Sequence, residues 1–215
     1  MTHTLGPRAT RKLQTRQALL QAALRLTEHQ SLGGVSLREV SRAAGIVPAG
    51  FYRHFPDMES LGVALVEQSL GGLRTALRAV RAGLTESEEI ARRSVDVLAR
   101  EVRAQREQFR FIARERYGGM NLVRQAIREQ LRLVGEELAV DLLSGDGAAA
   151  EVLARWDDED VRILTSLIVN HMIATAAAIV DTPPGQPEVE RQILLAASKQ
   201  LHLIIIGARH WLDPA

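Results

Sequence analysis

Residues Ser36 to Phe55 (SLREVSRAAGIVPAGFYRHF) constrain the fold of this chain more than any other stretch. Ser36 and Glu39 stand at capping-box spacing, so the serine hydroxyl can accept the Glu39 amide proton while the Glu39 carboxylate accepts that of Ser36. Gly45 stops the helix so begun, because its left-handed C-terminal turn is easiest for glycine. Pro48, with φ already set, opens another short helix running to about His54. Neither helix is long enough to persist alone. A preceding amphipathic helix must hold them, and Leu13, Ala18, Leu19, Ala22, Ala23 and Leu26 give it an apolar stripe ending before Gly33-Gly34. Leu37, Val40, Ala44, Ile46, Phe51 and Phe55 would share its small core. A second helix presented this way can enter the major groove of DNA while its neighbour crosses the phosphate backbone. Ordinary helical corners share the pattern.

The remainder also reads as helix. Asp57 caps a long helix to about Arg81, and Thr85-Glu86-Ser87-Glu88 is a second capping box opening a helix to about Ala104. Further helices are expected near 107–117, 121–143, 157–181 and 187–211, with Asn121 and Asp157 as caps and Pro187 at a first helical position. Gly- or Pro-rich loops fall near 118–120, 144–150 and 182–187. Strand alternation is missing, so the fold class is all-α with about nine helices. Two parts are expected: a DNA-binding head, residues 1–56, and a larger helical body, residues 57–215. The run Ile163 to Val180 approaches a membrane-spanning length, but Asn170 and His171 interrupt it and a buried bundle explains it better. No apolar segment follows the basic N-terminus as a secretory signal would, so a cytoplasmic protein with no membrane partner is expected.

Charge separates the two parts. The 215 residues carry a net +1, yet residues 1–56 hold eight basic and two acidic side chains, a net +6, which leaves −5 on the rest. A basic head on an acidic body suggests polyanion binding confined to the head; uneven surface charge without a partner is the plainer alternative. With no Cys, thiol catalysis, disulfides and Cys-ligated metals are excluded. His171, His202 and His210 lack ligand spacing, so no metal site is expected. No G-x-S-x-G, G-x-G-x-x-G or H-E-x-x-H motif is present, and an enzyme is not expected.

Ala43-Ala44-Gly45 and Phe51-Tyr52-Arg53-His54-Phe55 resemble the TetR family of transcriptional regulators. The blocks 11–16 (RKLQTR), 37–56, 108–120 (QFRFIARERYGGM) and 207–211 (GARHW) further resemble its DesT/FabR branch, regulators of unsaturated fatty acid synthesis. The resemblance implies a homodimeric, non-enzymatic repressor that reads a near-palindromic double-stranded operator. Its effector would be a long-chain acyl-CoA or acyl thioester, with no cofactor. Another hydrophobic effector, or an enzyme acting on acyl thioesters, are the alternatives. Ser36 and Arg38 would meet phosphate, and Tyr52 and His54 match the family's phosphate contacts. Pro48, Ala49 and Gly50 open the recognition helix, where small side chains permit close van der Waals approach to bases. Arg53 is the candidate there for a base or phosphate contact. Arg11, Lys12 and Arg16 could form an arm to backbone or minor groove. Met58 stands where many such heads have Lys, removing one phosphate contact. For Tyr52, a half-buried core role is the alternative.

After residue 56 the body has few aromatics, and its aliphatic helices suit an acyl chain as well as an ordinary core. Candidate pocket residues are Leu98, Val102, Phe109, Ile112, Leu138, Leu142, Ile168 and Met172. Tyr117 and His171 join them as polar candidates. Arg114 stands for the cluster Arg100, Arg103, Arg106, Arg110, Arg114 and Arg116, whose guanidinium groups match phosphate geometry although most would be solvated or paired.

Overall fold

The computed structural model describes residues 6–81, 87–144, 152–153 and 155–211. Among these are nine α-helices, one 3-10 turn and no strand. The helices are α1 (Pro7–Leu26), α2 (Leu37–Ala43), α3 (Pro48–Phe51), α4 (Met58–Arg81), α5 (Ser87–Ala104), α6 (Arg106–Glu115), α7 (Asn121–Leu143), α8 (Asp158–Asp181) and α9 (Pro187–Arg209). The 3-10 turn is Leu32–Gly34, where the sequence had suggested only a break.

Local signals set most ends. Asp57 Oδ1 accepts the Ser60 amide at 2.7 Å, and Asp157 Oδ1 accepts that of Asp160 at 2.8 Å. Pro187 occupies the first turn of α9. Asn121 is the first residue of α7 instead of its cap, and its Oδ1 accepts from Arg124. Thr85 and Glu86 of the second capping box, and most of the 144–150 loop, lie outside the described residues.

Packing divides the chain into two compact units, Met1–Ser69 with Arg110–Arg128, and Leu70–Phe109 with Glu129–Ala215. The first thus extends past residue 56 and takes in the end of α6 and the start of α7. Its core includes Leu19, Leu20, Leu32, Val40, Phe51, Phe55, Leu61, Val123 and Ile127, all essentially buried. Leu13, placed on the apolar stripe by periodicity, is 53% exposed. In the second unit α5, α8 and α9 pack mutually. Ala91, Val95, Leu98, Val102, Phe109, Met172, Ile179 and Leu201 are part of one buried cluster there. Arg106 donates to the carbonyls of Val180 (2.6 Å) and Thr182 (2.5 Å), satisfying the C-terminal end of α8. α8 is long and apolar enough to cross a membrane, and half of its apolar window is buried.

Candidate nucleic-acid interface

The capping box between Ser36 and Glu39 forms as its spacing requires. The Ser36 amide and hydroxyl both donate to Glu39 Oε2, at 2.8 and 2.7 Å, and the Glu39 amide donates back to Ser36 Oγ at 3.3 Å. These bonds, the serine hydroxyl foremost, hold the Glu39 carboxyl below its ordinary pKa. At the other end of α2, Gly45 has φ +72°. Its amide bonds to the Arg42 carbonyl at 3.1 Å, and the Ile46 amide to that of Ser41 at 3.0 Å, a Schellman turn. The chain therefore leaves α2 with its last carbonyls satisfied and enters α3 at Pro48.

α3 stops at Phe51, three residues short of the expected end, and residues 52–54 form a turn. The bonds there tighten to three-residue spacing, the Arg53 amide donating to the Gly50 carbonyl at 3.3 Å and the His54 amide to that of Phe51 at 2.9 Å, so the chain leaves α-helical geometry before Pro56. Phe51 is fully buried and fixes the helix, while Tyr52 meets its ring edge-on at 5.9 Å and is itself 63% exposed. Tyr52 is thus a surface aromatic and not a half-buried core one.

Arg38, Pro48, Ala49 and Arg53 are exposed, Gly50 and His54 half-buried. Arg38, Glu39, Arg42, Gly45, Ile46, Val47 and Pro48 line one surface hollow. Arg11, Lys12 and Arg16 lie within regular helix that starts at Pro7, not in an extended arm. The Arg16 guanidinium sits over the Phe55 ring, 4.9 Å from its centroid. Burial first, then the positive charges of Lys12, Arg16 and Arg53, push the His54 pKa below its ordinary 6.5. Cations from α1 and from the turn after α3 therefore act on one imidazole. That concentration of positive charge is what a phosphate backbone would neutralise.

Long-range contacts unannounced by the sequence brace this head. Arg114 Nη1 donates to the carbonyls of Thr27 (2.6 Å) and Gln30 (2.9 Å), and its Nη2 to that of Glu28 (3.1 Å). Arg110 pairs with Glu28 at 2.9 Å. Glu115, 1% exposed, accepts the Leu32 amide at 2.8 Å. Three side chains from α6 thus fix the loop between α1 and α2.

The eleven candidate pocket residues are divided. Leu98, Val102, Phe109 and Met172 belong to the buried cluster of the second unit, with Ile168 packed against it. His171, half-buried, donates from Nε2 to the Ala197 carbonyl at 2.9 Å, joining α8 to α9. Leu138 is buried and Leu142 half-buried on α7, outside that cluster. Ile112, Arg114 and Tyr117 belong to the first unit, where Ile112 is buried, Arg114 holds the loop carbonyls and Tyr117 is 82% exposed. Arg103 pairs with Glu190, so Arg103, Arg106, Arg110 and Arg114 each have a structural partner.

Residues 19–65 match the family model described as bacterial regulatory proteins, tetR family. The N-terminal head is a tetR-family DNA-binding domain. Solved structures agree in fold over nearly the whole chain. The fatty acid degradation regulator FadR of Bacillus halodurans is 18% identical, covers 99% of this chain and 100% of its own, and has a TM-score of 0.62. FadR of Bacillus subtilis, solved with stearoyl-CoA, is 15% identical over 91% and 98%, with a TM-score of 0.65. RolR, solved with resorcinol, is 24% identical over 96% and 97%, with a TM-score of 0.54. At these identities the likeness is one of fold. The tetR-family head thus precedes a helical body of the kind these regulators share.

Proposed function

We propose that this chain is a homodimeric transcriptional repressor of unsaturated fatty acid synthesis genes, working in the cytoplasm and released or engaged by a long-chain acyl-CoA or acyl thioester. The observation that carries the DNA-binding part is the tetR-family head itself: a short recognition helix pinned by buried Phe51, with Arg38, Tyr52 and Arg53 exposed around it. Residues 1–56 hold the DNA contacts. The body, residues 57–215, holds the effector and the dimer contacts. Ile163 and Leu167 of α8 and Leu195, Leu203 and Ile206 of α9 are large, apolar and exposed, as a bundle face shared between two copies would be. Two heads would engage together when held about one duplex turn, roughly 34–36 Å, apart. An effector with different affinity for the engaged and disengaged states then sets occupancy.

The acyl-CoA assignment draws on the aliphatic cluster containing Leu98, Val102, Phe109 and Met172 and on the stearoyl-CoA bound by one fold relative. A smaller phenolic effector is the second reading, favoured by RolR. Electrophoretic mobility shift against fragments upstream of desaturation and fatty acid synthesis genes tests the first step. A retarded band that changes with oleoyl-CoA or palmitoyl-CoA, but not with resorcinol, is the expected result. A band insensitive to every acyl-CoA rejects the effector, and no band at low salt rejects the regulator.

A further inference from the structure

The apolar front of the recognition helix has no structural task. Val47 is 70% exposed, with exposed Pro48 and Ala49 beside it. It also holds the N-cap position of α3, where Ser, Thr, Asp or Asn would bond a free amide and valine cannot. No side-chain bond caps this helix. The position therefore forgoes both burial and capping, and stability does not account for a valine here.

Its surroundings specify an occupant. Arg38 and Arg42 line the same hollow as Val47 and Pro48, and Arg53 is exposed nearby in sequence. The carboxylate in that hollow, Glu39, is turned onto Ser36. An apolar tip within a cationic rim complements a polyanion that carries apolar groups between its rows of phosphates. In duplex DNA that group is the thymine 5-methyl, which projects into the major groove. Val47, Pro48, Ala49 and Gly50 bring no side-chain donor or acceptor, so hydrogen-bonded reading of guanine or adenine at this point is ruled out.

We propose that Val47, supported by Pro48 and Ala49, reads thymine through its 5-methyl group and so sets the base preference of each operator half-site. The inference rests on the DNA-binding reading and adds the identity of a contacted base. It is tested on duplexes enriched from a randomised pool by the full-length chain, remade with deoxyuridine for each thymine in turn, which removes only the methyl. Uracil is expected to weaken binding about fourfold at one position or so per half-site. Val47→Ala should weaken the parent duplex by about the same factor and abolish the uracil penalty there. Val47→Ser reports on the fold: its melting temperature should equal or exceed the parent's, since serine supplies the cap, while the uracil penalty still vanishes. A tightly bound duplex indifferent to uracil everywhere, or an undiminished penalty in Val47→Ala, overturns methyl reading with DNA binding intact. If no duplex is enriched at low salt, the DNA-binding reading falls and takes this one with it.

Discussion

His54 shows how a single side chain in the head registers its neighbours. Its Nδ1 is buried without a hydrogen-bond partner among the described residues, and the charges acting on it, Lys12, Arg16 and Arg53, are all positive. Burial and then these cations favour the neutral imidazole, so the native pKa lies below the ordinary 6.5 that the unfolded chain recovers. The sign follows from proton counts. Well above 6.5 neither state is protonated and this group confers no pH dependence. Below it the unfolded chain takes up a proton that the native head refuses, so stability is lost as the pH falls from 6.5 through the lower native value. Melting temperatures measured from pH 8 to pH 5.5 should therefore decline, and His54→Gln should flatten the decline. Glu39 does not mimic this, because its carboxyl, held down by Ser36, loses its stabilising charge only in the acid range below 4.5. Identical slopes in parent and variant would show that another group titrates in this window.

At the scale of elements, close approach constrains the packing alongside the caps. Gly62 on α4 faces Leu32 of the 3-10 turn and Val123 of α7, all within the first unit. A Cβ there would stand 2.6 Å from Leu32 Cδ2 and 2.6 Å from Val123 Cγ2, closer than side chains tolerate. Leu32 cannot retreat freely, since it is fully buried and its amide is held by Glu115. Gly62→Ala gains about 1 kcal/mol of helix propensity. Overpacking costs about 1–3 kcal/mol, so a net loss of about 1 kcal/mol is expected by urea denaturation. Adding Val123→Ala, which removes one colliding group, should recover part of the strain; a Gly62→Ala variant more stable than its parent would refute the packing. The caps at Ser36, Asp57 and Asp157 and the turn at Gly45 were legible in the sequence because each depends on residues three to five positions apart. The bracing by Arg114 and Glu115 was not, since its partners lie 83 to 87 residues away. An arginine cluster reads alike whether its targets are ligand phosphates or carbonyl oxygens of its own chain. Hence Arg114 drew attention as a pocket residue while its guanidinium holds Thr27, Glu28 and Gln30. Leu98, Val102, Phe109 and Met172, named as candidates for a pocket, lie together in one buried cluster, but aliphatic composition does not separate a core from a cavity.

For the whole molecule, a net +1 conceals +6 on residues 1–56 and −5 on the remainder, and this division has a thermodynamic consequence. Each phosphate neutralised by a protein cation releases condensed counterions, so log K falls with log[salt] by about 0.9 per contact on B-form DNA. The many arginines beyond residue 56 should contribute little to that slope, because several are neutralised in place. Arg92 is paired with Glu89 and Asp96, Arg132 with Glu129 and Glu136, and Arg191 with Glu188. Arg38 and Arg53 of the head face solvent, and Glu39, the carboxylate next to Arg38 in the chain, is engaged by the capping box. Binding of the full chain to a nonspecific duplex, followed by fluorescence anisotropy from 50 to 300 mM salt, therefore distinguishes the two sets. Arg38→Ala is expected to reduce the slope by about 1 for each engaged head, and Arg53→Ala likewise if its contact is to phosphate. Arg132→Ala and Arg191→Ala should leave both slope and affinity unchanged. If the slope instead drops with Arg132 or Arg191, the polyanion surface extends over the body, and the charge division between the two parts of the chain does not govern binding.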